Sequence, residues 1–87
     1  MLFRSGLHLR SNIHRKLMSF FIENEGSVDT PRGLAVWTNE NVKNVTVALE
    51  ELVIAGFLRA HRTSSTVGYS CVLNRKALKS LATRLGL

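Results

Sequence analysis

Thr30-Pro31-Arg32-Gly33-Leu34-Ala35-Val36-Trp37-Thr38-Asn39-Glu40-Asn41-Val42-Lys43-Asn44-Val45-Thr46-Val47-Ala48-Leu49-Glu50-Glu51-Leu52-Val53-Ile54-Ala55-Gly56-Phe57 is the stretch around which the 87-residue chain is organised. It reads as a short helix, a tight turn and a longer amphipathic helix. Thr30 is a suitable N-cap, and Pro31 fits the first helical position, where its missing N–H costs nothing. This second helix of the chain is expected to run to about Trp37, with Leu34, Ala35 and Trp37 inward and Arg32 in the exposed first turn. Gly33 permits close approach to a neighbour. Thr38-Asn39 supplies a polar break and a fresh cap. Apolar residues then resume at Val42, Val45, Leu49, Leu52 and Val53, the spacing of one helical face. Gly56 closes this third helix as a left-handed C′ residue.

On the N-terminal side, Ser11 is a suitable N-cap for a first helix in which Ile13, Leu17, Phe20 and Phe21 share one face. His14, Arg15, Lys16, Ser19 and Glu23 take the other sides, and Asn24-Glu25-Gly26 stops the helix. Ser27-Val28-Asp29 is a connector in which Val28 has room for a minimal strand beside a later hairpin. Residues 1–10, with Arg4 and Arg10 around Leu7 and Leu9, read as a basic arm or as a short strand for a partner.

After Gly56 the pattern changes to period two. Phe57–His61 and Tyr69–Leu73 read as the strands of a hairpin, with a polar, basic tip from Arg62 to Gly68. Asn74 then caps a last helix, Arg75 to Leu85, with Leu78, Leu81, Ala82 and Leu85 in an apolar stripe opposite Arg75, Lys76, Lys79 and Arg84.

Composition narrows the function. Twelve Lys+Arg against six Asp+Glu give a formal net charge of +6 and a pI near 10.5, which favours a polyanionic partner. Cys71 is the only cysteine. It forms no internal disulfide, which suits a reducing compartment and points to the cytoplasm. No h-region marks a signal peptide, nothing is long enough to span a membrane, and no repeat or linker divides the chain. A single domain over residues 1–87 is expected, with an arm at 1–10 and a C-terminal helix across 75–86.

The order helix, short extended piece, helix, turn, helix, hairpin, helix resembles a winged helix-turn-helix domain. The run Val45-Thr46-Val47-Ala48-Leu49-Glu50-Glu51-Leu52-Val53-Ile54-Ala55-Gly56-Phe57-Leu58 is similar to the recognition-helix-to-wing passage of small MarR- and ArsR-type transcriptional regulators. The resemblance implies an α+β, mainly α fold: a three-helix winged helix-turn-helix with a two-stranded β-hairpin wing and a C-terminal helix. It also implies a double-stranded DNA partner, with the third helix in the major groove and the wing on the backbone or minor groove.

On that frame Asn41 and Asn44 are placed to read adenine edges, and Lys43 to meet a phosphate or guanine. Thr46 is placed for a base or phosphate, and Val47 for a thymine methyl. Glu40, Glu50 and Glu51 would approach phosphates unless they accept from cytosine or point away. The positive charge lies elsewhere, in Arg32, Arg59, His61, Arg62 and the terminal segments. With Ser64 and Ser65 at its tip, the wing suits phosphate contacts, which position a protein without specifying sequence.

Trp37 and Tyr69 read as packing residues. Cys71 reads as a small buried hydrophobe, and His8, His14 and His61 as surface histidines too scattered for a metal site with Cys71. No triad, paired-carboxylate or phosphate-loop arrangement stands out, so a non-enzyme without cofactor is expected. Val47 and Ile54 lie one heptad apart on the outward side of the third helix, where a purely DNA-reading helix has no need of them. The stripe of Leu78, Leu81 and Leu85 either packs on its own core or forms a homodimer or partner contact. Two functions remain: a DNA-binding transcriptional regulator, or a winged-helix protein–protein interaction module in a replication or transcription assembly. RNA binding by the basic wing is a third.

Overall fold

The computed structural model describes residues 12–85, except for the side chain of Leu85. The expectations for Ser11, for the arm at residues 1–10 with His8, and for Leu85 as a contact lie outside the described residues. In chain order the elements are α1 (Asn12–Glu23), β1 (Val28–Asp29), α2 (Pro31–Thr38), α3 (Val42–Ile54), β2 (Leu58–Arg62), β3 (Val67–Cys71) and α4 (Arg75–Leu85).

Local chemistry sets the helix ends. Thr30 has an extended backbone, and its hydroxyl accepts from the Gly33 N–H at 3.2 Å. The Thr30 N–H donates in turn to Asp29 Oδ1 at 2.8 Å. The Asp29 carboxylate lies so close over Gly33 that any Cβ there would collide with it. The close approach predicted at Gly33 is therefore to the chain's own cap. Asn39, at φ 59°, closes α2 in the left-handed region, where the Asn39 and Glu40 N–H groups reach back to the Val36 and Ala35 carbonyls.

The break between α2 and α3 differs from the expectation in its details. Thr38 is the last residue of α2 and is buried, its hydroxyl donating to the Leu34 carbonyl at 2.7 Å. The cap of α3 is Asn41, whose Oδ1 accepts from the Asn44 N–H at 2.7 Å. At the other end Gly56 adopts φ 92°, with Gly56 N–H donating to the Val53 carbonyl and Phe57 N–H to that of Leu52. These are the two bonds of a Schellman motif, and they turn the chain directly into β2. Asn74 caps α4 through the Ala77 N–H at 2.8 Å.

The sheet has the order β1-β3-β2 and is antiparallel throughout. The hairpin strands are shifted from the expected bounds. Arg62, Val67 and Gly68 belong to the ladder, Phe57 precedes it, and Val72 and Leu73 follow it. The connection shrinks to residues 63–66 because Thr63 stitches it: its N–H donates to the Thr66 carbonyl, and its hydroxyl oxygen accepts from the Thr66 N–H at 3.1 Å.

The core brings together Leu17, Met18, Phe20 and Phe21 of α1, Leu34 and Ala35 of α2, and Val45, Ala48, Leu49 and Leu52 of α3. Phe57, Leu58, Tyr69 and Leu81 close it. Burying each large apolar side chain contributes about 1.5–3 kcal/mol. Three positions depart from the sequence reading. His14, expected on an outer side of α1, is buried because its ring reaches α3. Val42 is 44% exposed at the first position of α3, ahead of the turn at which the helix meets the core. Trp37 is 45% exposed and meets the core in an edge contact with Phe20, at 5.2 Å between ring centroids.

Leu78 and Leu81 settle against the chain itself. They are 4% and 2% exposed, so the contact between protomers or with a partner that was expected of them finds no free leucine stripe at these two positions.

Candidate nucleic-acid interface

At about 100° per residue, the buried side of α3 (Val45, Ala48, Leu49, Leu52) leaves an open arc centred on Lys43, Val47, Glu50 and Ile54. Val42 and Thr46 form the flank toward the wing. Asn44 and Glu51 form the flank toward α1, so Asn44 lies off the centre of the arc on which the sequence reading placed it. Thr46 has committed its hydroxyl proton to the Val42 carbonyl at 2.8 Å.

The three carboxylates that threatened a phosphate approach are each held by a cation or imidazole. Lys16 of α1 donates to Glu40 Oε2 at 2.9 Å and to the Thr38 carbonyl at 3.2 Å. His14 Nε2 donates to Glu51 Oε1 at 2.8 Å. Arg62 Nη2 donates to both oxygens of Glu50, at 2.8 and 3.1 Å, and the Tyr69 hydroxyl donates to the same carboxylate. The bond from Arg62, followed by that from Tyr69, holds the Glu50 carboxyl below its ordinary range. Burial, helped by the neighbouring Glu50, pushes the Tyr69 phenol up to about 12. Such pairs add little stability when exposed, but Lys16 and Arg62 offset the negative charge of Glu40 and Glu50 along α3.

Among the described residues, Arg32, Lys43 and Arg59 have no carboxylate within ion-pair distance. Arg32 lines two neighbouring grooves. One, of about 380 Å³, lies between the start of α2, α3 and the hairpin tip, and includes Thr30, Val42, Thr46 and Thr66. The other, of about 510 Å³, lies over the α2–α3 turn and includes Val36, Glu40, Asn41 and Val42. Arg32, Asn41, Val42 and Thr46 therefore converge on one surface beside Lys43.

The wing residues divide. In the β2–β3 ladder Leu58, Ala60 and Arg62 alternate with Arg59 and His61, so Arg62 turns toward α3 while Arg59 and His61 share the other face. His61 Nε2 and Ser70 Oγ are hydrogen-bonded at 2.7 Å on that outer face. Ser64 and Ser65 are exposed at the tip. Arg62 thus belongs to a clasp between wing and helix, on the opposite face of the hairpin from Arg59 and His61. Sequence reasoning missed His14, Lys16 and Tyr69 as residues that hold the carboxylates, and Thr63 as the stitch of the tip. The partners of the first three lie 37, 24 and 19 positions away, and no local pattern marks them. Cys71 is half-buried against the core, and burial raises its thiol pKa.

No protein-family model matches the sequence, and no curated protein sequence matches it. A solved structure does match the fold. It is the solution NMR structure of the homodimeric winged helix-turn-helix DNA-binding domain of a possible ArsR-family transcriptional regulator from Mycobacterium bovis. The similarity covers 93% of this chain and 73% of that one, with a TM-score of 0.72 at 16% sequence identity. The fold is a winged helix-turn-helix. In its terms α2 and α3 are the helix-turn-helix, and the β2–β3 hairpin is the wing. No helix among the described residues of this winged-helix chain is long and apolar enough to cross a membrane.

Proposed function

We propose that the protein is a double-stranded DNA-binding winged-helix protein, a transcriptional regulator that acts as a homodimer in the cytoplasm without a cofactor. The observation that carries this reading is the charge arrangement around α3. Glu40 and Glu50 are each paired with a cation and Glu51 is hydrogen-bonded to His14, while Arg32 and Lys43 stand uncompensated beside a grooved, open helix face. Lys43, Thr46 and Val47 enter the major groove, with Asn41 and Asn44 at the groove edge. Arg32, Arg59, His61, Ser64 and Ser65 take phosphates, and Arg62, held on Glu50, joins them only when that pair is opened. The homodimeric DNA-binding domain of similar fold supports the dimer, which would set two α3 helices on successive half-sites.

Titration of the chain with mixed-sequence and genomic duplexes at low salt tests the reading. Micromolar or tighter binding that weakens steeply with salt is expected, and absence of binding in that range ends the proposal.

The second reading, a protein-interaction module, draws on Ile54, which is 82% exposed at the far end of the α3 arc. Ile54→Asp would then abolish self-association or capture of a defined partner and leave duplex affinity unchanged.

A further inference from the structure

Resting on the duplex-binding reading, we propose that the exposed arc of α3 selects A·T-rich DNA by seating thymine methyl groups against Val42 and Val47. Val42 carries the new part of the argument. Its position in the apolar repeat suggested core, yet it stands 44% exposed and lines both grooves beside Arg32. Val47 is 55% exposed, five residues on. That spacing puts the two valines about 140° apart around the helix and about 7.5 Å apart along it, at opposite edges of the arc that holds Lys43 and Thr46. A helix seated in a major groove about 12 Å wide presents both edges to base pairs.

The polar inventory between the valines is short. Thr46 has given its proton to the Val42 carbonyl, and Asn41 Oδ1 is occupied by the Asn44 N–H. Glu50 is closed on Arg62 and Tyr69. Lys43 is the one cation of α3, and α3 itself carries no arginine to take a guanine edge by two bonds. The C5-methyl of thymine is the apolar group that the major groove displays. Val36, strongly exposed in the second groove, extends the apolar surface toward α2. The cation complement commits this apolar surface to a polyanionic occupant: Arg32 borders both grooves and lies ready for the phosphates that flank any base contacted there.

The test compares fluorescently labelled 20-base-pair duplexes of alternating A and T with the same duplexes carrying uracil for thymine, so that only the methyl groups differ. The A·T duplex should bind at least about four-fold tighter, the value expected for one buried methyl. The ratio should be unchanged by added salt, because a methyl contact releases no counterions. Alternating G and 5-methylcytosine should likewise outbind unmethylated G and C. The double variant Val42→Ala/Val47→Ala, whose circular dichroism should stay native because both side chains are exposed, should lower the A·T to A·U ratio toward one.

Equal affinity for the A·T and A·U duplexes overturns the inference, as does a ratio that survives in the double variant. If Val47→Asp abolishes self-association in sedimentation while the two duplexes bind alike, the arc faces protein and the inference falls. If no duplex binds at low salt, the duplex-binding reading itself fails. That result is distinct from duplex binding that is blind to methyl groups.

Discussion

Glu50 on α3 and Arg62 on β2 are joined through both carboxylate oxygens, at 2.8 and 3.1 Å from Nη2, which ties the second helix of the helix-turn-helix to the wing. In the free protein this pair removes one cation from the wing's supply for phosphates. Glu50→Gln should release Arg62, raise duplex affinity several-fold and steepen the log–log salt dependence by about 0.9 for the added phosphate contact. Fluorescence anisotropy across a salt series measures both. Unchanged affinity and slope would mean that Arg62 never reaches DNA.

The third member of the clasp reports on itself, because Tyr69 is the only tyrosine. Spectrophotometric titration should give a phenol pKa of about 12, against about 10 when unfolded. Since the folded value is the higher one, the associated stability is complete below about pH 10 and is lost as pH rises toward 12. Glu50→Gln should lower the Tyr69 value only partway, because burial is the larger cause. Titration near 10 in the folded chain would contradict the buried placement.

Glu50 has the opposite sign. Its carboxyl is held below the usual carboxylate range, chiefly by the bond from Arg62. The stability it adds is present above its unfolded value of about 4.3 and is lost as pH falls through the lower folded value. Denaturant midpoints of the native chain and Glu50→Gln should therefore converge as pH falls below about 4.3 and the clasp protonates. A constant gap across that range would show that the pair contributes nothing to folding.

Much of the fold was legible because its signals are local. Thr30 and Pro31 start α2, Gly56 ends α3, and Asn74 starts α4, each through chemistry confined to a few neighbouring residues. The site was legible only in part. Lys43 and Arg32 could be placed from helical geometry and position. The pairs Glu51–His14, Glu40–Lys16 and Glu50–Arg62 join residues 37, 24 and 12 positions apart, and only tertiary packing brings them together. Val42 and Trp37 misled for a related reason. Each keeps the periodic spacing of a buried face but sits at a helix end, beyond the neighbours that would cover it.

Gly33 offers a check on the α2 cap. Gly33→Ala should destabilise the protein despite alanine's better helix propensity, because its Cβ displaces the Asp29 carboxylate from the Thr30 N–H. Asp29→Ala removes both the obstruction and that bond, worth about 1 kcal/mol, so the double variant should cost less than the sum of the two single losses. Urea unfolding of the two single variants and the double variant gives the coupling. Additive effects would refute the close contact.

Leu81→Ala should cost about 2–5 kcal/mol of unfolding free energy, since the side chain is buried in the core of its own chain. Denaturation combined with sedimentation separates this from a role between protomers. Native stability with loss of self-association would place Leu81 at a dimer contact instead.

The central claim is that uncompensated cations beside α3 dock duplex DNA. It is tested most directly by the salt dependence of duplex binding for Arg32→Ala/Lys43→Ala, with Lys76→Ala/Lys79→Ala on exposed positions of α4 as the control. The account predicts that the first pair weakens binding and flattens the log–log slope by about 1.8, while the control leaves both near the native values. Native affinity and slope in Arg32→Ala/Lys43→Ala would contradict it.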